Sequence, residues 1–206
     1  MYRIFKSTRL PALIVLFLVC VGQAYAEQDN VGAREVVESF QSELIAVMKK
    51  GKELGYEGRF DRLFGPVTQS HDLIKIVRIV VGREWDRLSA EQQNQLVDVF
   101  TRLSVASYAH NFKEFTGEAF KFDAEEEMAR GGAIVHSHMI IPGDKDVKFD
   151  YMLKKKANSW KIINIIANGV SDLALKRSEY TAILKREGFS TLIAKINEKI
   201  NNYSQK

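Results

Sequence analysis

Val147-Lys148-Phe149-Asp150-Tyr151-Met152-Leu153-Lys154 alternates with a period of two: Val147, Phe149, Tyr151 and Leu153 lie on one side, Lys148, Asp150, Met152 and Lys154 on the other. Successive side chains of a strand point to opposite faces, so this octapeptide predicts a strand buried on one face only. Its neighbours read the same way. Upstream, Pro142-Gly143-Asp144 is a turn, and Ala133 to Ile141 before it reads as another strand. Still earlier, Phe120-Lys121-Phe122 begins to alternate and Gly131-Gly132 turns the chain. Downstream, Ala157-Asn158-Ser159 leads into Trp160 to Ala167, which is apolar on both faces. Four consecutive strands on short turns predict an antiparallel meander.

Helical periodicity flanks this block on both sides. Val36, Val37, Phe40, Leu44, Val47 and Met48 fall at helix spacing until Gly51 and Gly55 break the run. A second stripe, Leu73, Ile76, Val77, Val80 and Val81, closes at Gly82. Ser89 with Gln92 forms a capping box for the longest helix, with Leu96, Val99, Phe100, Leu103 and Ala106 on one face. Tyr108, Phe112 and Phe115 extend it toward Gly117. After the strands, Leu173, Tyr180, Ile183 and Leu184 form a stripe ending at Gly188, and Ser190 starts a last helix. Helices, a four-stranded meander and helices again predict an α+β fold, with a twisted antiparallel sheet packed by helices on one side.

The extreme N-terminus follows another logic. Arg3, Lys6 and Arg9 precede an apolar run of about 11 residues from Ala12 to Gly22, and Ala24-Tyr25-Ala26 follows. This predicts a cleavable signal peptide over residues 1–26 and one domain over 27–206, because a membrane span needs roughly 20 apolar residues. The same reading predicts that the mature domain works outside the cytoplasm. Cleavage removes Cys20, the only cysteine, and with it any disulfide, thiol nucleophile or thiolate metal site. Three of the 30 basic residues leave too, so 27 face 26 acidic ones and no electrostatic case for nucleic acid remains.

Candidate chemistry is sparse. His136 and His138 share a strand face and could ligate zinc, but no spacing signals a third ligand. Glu125-Glu126-Glu127 lacks the spaced oxygens and central glycine of a calcium loop. Ser104, Ser107 and Ser171 sit in no nucleophile-elbow context. We therefore expect no catalytic residue, no metal and no cofactor. The alternative is an exported enzyme on a similar α+β scaffold, using His136, His138 or Asp150 near a pocket. Large apolar residues crowd both layers, but pattern alone does not separate a filled core from a hollow one.

Several segments carry a resemblance. Val81-Gly82-Arg83-Glu84-Trp85, Leu88-Ser89-Ala90-Glu91-Gln92-Gln93, Phe100 and Tyr108-Ala109 resemble the middle of the MlaC-type proteins, the toluene-tolerance family of periplasmic lipid-binding transport components. Trp160-Lys161-Ile162 followed by Asn168-Gly169-Val170-Ser171 resembles that family's most recognisable segment. Ser171 to Tyr180, with Lys185-Arg186-Glu187-Gly188-Phe189, looks closest to its hopanoid-associated HpnM branch. Two positions depart from the pattern: Asn164 stands where the family usually has an acidic residue, and His71 where the branch tends to have an aromatic.

The resemblance implies helices and sheet enclosing an apolar cavity for lipid chains, with lipid as cargo rather than cofactor. As cavity lining we expect Val77, Val80, Val81, Phe100, Leu103, Tyr108, Phe112 and Leu184 from the helices. The sheet contributes Val135, Met139, Phe149, Tyr151, Leu153, Ile163 and Ile165. The implied partners are a phospholipid or hopanoid-like lipid and lipid transport complexes of the inner and outer membranes, served by a monomer that is not an enzyme. The physics of such a carrier is simple. Each methylene moved from water into an apolar slot gains about 0.8 kcal/mol, so a bare two-chain lipid crosses water against a barrier on the order of 20 kcal/mol.

Overall fold

The computed structural model describes residues 31–205; the predicted signal segment lies outside them. Helix α1 (Ala33–Lys49) buries Val37, Phe40, Leu44 and Val47, the stripe its periodicity announces. Helix α2 (Gly51–Ser70) follows almost at once, where sequence periodicity predicts a break. Both readings have a physical basis. Gly55 takes a left-handed φ of 61° and kinks the helix, yet the chain resumes helical geometry beyond it and even carries Pro66. Gly51 is required for a different reason: a Cβ there would stand 1.8 Å from the Lys113 carbonyl oxygen.

Helix α3 (Leu73–Val81) is capped by Asp72, whose side chain accepts from the Lys75 N–H, and a 3₁₀ turn over Gly82–Arg87 leads on. Helix α4 (Ala90–Asn111) begins with the predicted capping box, in which Gln92 N–H donates to Ser89 Oγ at 3.2 Å and Ser89 N–H to Gln92 Oε1 at 3.0 Å. It ends at Asn111, earlier than the sequence suggests, and leaves Phe115 exposed in the following loop.

The meander is observed: β1 (Ala119–Met128), β2 (Gly132–Ile140), β3 (Val147–Lys156) and β4 (Ser159–Ala167), each antiparallel to the next. A fifth short strand, β5 (Val170–Ser171), corrects the expected count of four. Its turn is Asn168-Gly169, both at positive φ (48° and 81°), the pairing a tight two-residue hairpin demands. Helices α5 (Asp172–Glu187) and α6 (Phe189–Ser204) complete the chain, and α6 starts directly after Gly188.

One sheet face meets the helices. Gln41 of α1 donates to Ser137 on β2 at 2.8 Å, both buried, and Arg34 lies 4.0 Å over the Phe122 ring of β1. Val135, Tyr151, Leu153 and Ile162 are all at 2% exposure or less on this side. Among the described residues no helix is long and apolar enough to cross a membrane.

Candidate lipid-binding cavity

A cavity of about 230 Å³ opens between the sheet and helices α3, α4 and α5. Helix α4 supplies Phe100, Ser104, Ser107, Tyr108 and Asn111, followed by Phe112. Residues three and four apart share one helix face, and here the small serines sit between the aromatic rings. A longer side chain at those two positions would occupy the space. Strand β3 supplies Phe149 and Tyr151, and Ile165 stands opposite Tyr151 on β4.

Strand β4 contributes four successive residues, Ile162 to Ile165, which regular alternation would forbid. The register explains the three isoleucines, while Asn164 at the rim turns the other way, toward Met152 Sδ at 3.3 Å. Met152 pairs with Asn164 and Leu153 with Ile162, so Ile163 is an extra residue in a bulge. The bulge buries Ile162 and Ile163 side by side, at 0% and 9% exposure.

The remaining wall comes from the α2–α3 junction. His71 pairs with Ile162 in a parallel bridge, and the Asp72 N–H donates to the Ile162 carbonyl at 3.0 Å. This docks the junction against the edge of β4 and sends the His71 ring inward. Its Nε2 lies 3.1 Å from the Tyr108 hydroxyl; its Nδ1 lies 3.1 Å from the Val67 carbonyl and 2.9 Å from Ser70 Oγ. Phe40 packs edge-on to both the His71 and Tyr108 rings, at 5.0 and 5.1 Å. Burial pushes the imidazole pKa down to about 4, against a smaller upward pull from the Val67 carbonyl, so the ring is neutral near pH 7. Burial likewise holds the Tyr108 and Tyr151 phenols protonated, well above their usual range.

The rim is polar. Asp172 and Lys176 form an ion pair one turn apart on α5, with Asp172 exposed. Ser171 caps that helix, accepting from the Ala174 N–H at 3.1 Å, and donates to Asn164 Oδ1 at 3.1 Å. Asn164 therefore stands in an uncharged hydrogen-bonded chain.

Of the residues expected at the lining, Phe100, Tyr108, Phe112, Phe149, Tyr151, Ile163 and Ile165 border this cavity. Val77, Val80, Val81, Leu103, Val135 and Leu153 are instead sealed in the core, each at 1% exposure or less. Leu184 is half-buried against that core, and Met139 is half-buried on β2. Leu44, His71, Leu73, Ile76 and Ile162 line the cavity without having been singled out, as do the polar residues of α4 and of the rim. The serines at helical spacing from Phe100 and Tyr108 were the available signal.

His136 and His138 lie on the sheet face opposite Val135 and Ser137, away from the cavity. His136 Nδ1 meets Asp150 Oδ1 at 2.7 Å and His138 Nδ1 meets Asp123 Oδ1 at 2.8 Å. Among the described residues, no three histidine or acidic side chains converge to hold a metal.

Comparison with known proteins agrees with this architecture. The profile of the MlaC protein family matches residues 38–198. Over 123 residues the chain is 24% identical to the intermembrane phospholipid transport system binding protein MlaC of Haemophilus influenzae, and the match spans 58% of each protein. Over 162 residues it is 22% identical to toluene tolerance protein ttg2D of Pseudomonas putida, spanning 75% of this chain and 74% of that protein. In fold it resembles a phospholipid-binding protein of Ralstonia solanacearum, solved in complex with a phospholipid. The TM-score is 0.74 at 21% identity, covering 84% of this chain and 98% of that one. With a family match over most of its length and a helix-covered antiparallel sheet to go with it, this chain belongs to the MlaC family.

Proposed function

We propose that this chain is a periplasmic lipid carrier that takes phospholipid chains into the cavity between α4 and β3–β4. It exchanges them with transport complexes in the inner and outer membranes. The observation that carries this reading is an apolar slot in a family whose relatives bear phospholipid-transport names. Its walls are Phe100, Phe112, Phe149, Ile163 and Ile165, and its rim is polar. Acyl chains gain about 0.8 kcal/mol per methylene on entering such a slot, while the headgroup stays hydrated at Asp172, Lys176 and Asn111. At about 230 Å³ the cavity is smaller than the roughly 300–1,000 Å³ of ordinary ligand sites, so a two-chain lipid requires the helices to draw back from the sheet.

In this reading residues 1–26 are removed on export and residues 27–206 act as one monomeric domain. The protein is not an enzyme: each of His136 and His138 is held by its own carboxylate, on the far side of the sheet from the slot. The narrower placement in the hopanoid-associated branch rests on Ser171 to Tyr180 and Lys185 to Phe189, and it makes a ring lipid a second candidate cargo. Extraction of the purified mature protein and mass analysis of the lipid tests both levels. Bound phospholipid or hopanoid-like lipid is expected. A protein that emerges empty and takes up neither when offered vesicles refutes the carrier reading. Phospholipid alone, from cells that make both, refutes the narrower one.

A further inference from the structure

The direction of each hydrogen bond around His71 follows from its partners. Ser70 Oγ donates to the Pro66 carbonyl at 2.6 Å, which commits its proton. The Val67 carbonyl, 3.1 Å from His71 Nδ1, has no proton to give. Nδ1 thus faces two oxygens that accept, and it carries the imidazole hydrogen. The reverse tautomer would set two lone pairs against each other at 3.1 Å and take the Ser70 proton from Pro66. The ring is buried and neutral, so Nε2 is a bare acceptor. The Tyr108 hydroxyl, 3.1 Å away, must donate to it.

Every donor in the chain Tyr108, His71, Ser70 therefore points away from the cavity. The Tyr108 oxygen keeps an acceptor position that no other described residue fills, and Tyr108 and His71 both border the cavity. We infer that at Tyr108 this cavity favours a lipid end carrying a hydroxyl over one carrying an ether or ester oxygen, because the Tyr108–His71 pair offers only an acceptor there. The inference rests on the carrier reading and narrows its cargo. A hydrocarbon terminus makes no hydrogen bond there and displaces water from the open acceptor. An ether or ester oxygen meets a lone pair with no proton between them.

The test is competition against a fluorescent fatty acid, using 1-dodecanol and 1-methoxydodecane, which can enter either end first. One net hydrogen bond predicts that the alcohol binds about 2- to 10-fold more tightly than the ether. His71→Phe then removes the acceptor of the Tyr108 proton and frees that proton for the cavity. The Val67 carbonyl stays satisfied by the His71 backbone N–H at 3.1 Å. In that variant the ether gains and the preference falls toward unity, with circular dichroism confirming the fold. Equal affinities in the wild type overturn the inference and leave the carrier reading intact; so does an unchanged preference in folded His71→Phe. Failure to bind the fluorescent fatty acid at all removes the carrier reading itself.

Discussion

Lowering the pH should loosen this protein through His71 in a way that one substitution can isolate. The ring is 7% exposed and its pKa is pushed down to about 4, against about 6.5 in an unfolded chain. The sign follows from proton counting. Between these values the unfolded chain binds the proton and the folded protein does not, so stability falls as pH drops from 6.5 toward 4 and is fully present above 6.5. From pH 7.5 to pH 5 the two titrations differ by about 2 kcal/mol of lost stability. Urea unfolding at both pH values gives the total loss. His71→Phe removes only the histidine contribution. Its stability should change by about 2 kcal/mol less than that of the wild type over the same interval. Parallel losses in the two proteins would show that His71 is charged or solvated in the fold, and the hydrogen-bond directions argued for Tyr108 would go with it.

Filling the slot should trade cargo for stability: Ser104→Leu places three carbons in the cavity. It is expected to raise the unfolding free energy of lipid-free protein by about 1 kcal/mol while cutting co-purified lipid. Undiminished lipid would put the binding site elsewhere. Gly51→Ala drives a Cβ into the Lys113 carbonyl, backbone against backbone, and should cost about 2 kcal/mol or more, read as a lowered Tm. An unchanged Tm would mean that the 112–118 loop is free to move. Arg59 donates from Nε to the Ala109 carbonyl at 2.7 Å and from Nη1 to the Gly51 carbonyl at 2.8 Å, tying α2 to α4. Arg59→Met should cost about 3 kcal/mol in urea unfolding, and a loss below about 1 kcal/mol would refute that tie.

The strands were legible because burial on one face writes a period of two into the chain, most clearly in β3. Helix α2 was not. Its glycines and Pro66 lower local propensity, and its buried face is held partly by a charged residue, Arg59, which no apolar stripe would include. Part of the cavity lining was legible for the same reason as the strands: Phe149 and Tyr151 had to face the helices. What no periodicity could supply was the bulge at Ile163, which turns consecutive residues of β4 toward one space. The junction at His71 was hidden too, since a lone histidine before a helix says nothing of the strand edge it will meet. Periodicity identifies faces. It cannot say which stretch of a face is left without a partner.

That distinction explains why Val77, Val80, Leu103, Val135 and Leu153 ended in the core rather than at the cavity. A carrier needs both kinds of surface. A dry apolar void of about 230 Å³ would cost on the order of 5 kcal/mol, comparable with the whole stability of many domains. The sealed residues of α3, α4 and the sheet offset that cost, because they are fully buried while the slot is empty. The slot itself is built from parts that tolerate vacancy: serines on α4, a bulged strand and a rim of hydrated side chains. Binding then recovers what the empty slot lacks, and release returns the protein to a state that remains folded. In the proposed carrier, Val77, Val80, Leu103, Val135 and Leu153 would hold the fold through each exchange of cargo, while Leu44, Phe100, Tyr151 and Ile162 belong to the core and border the slot as well.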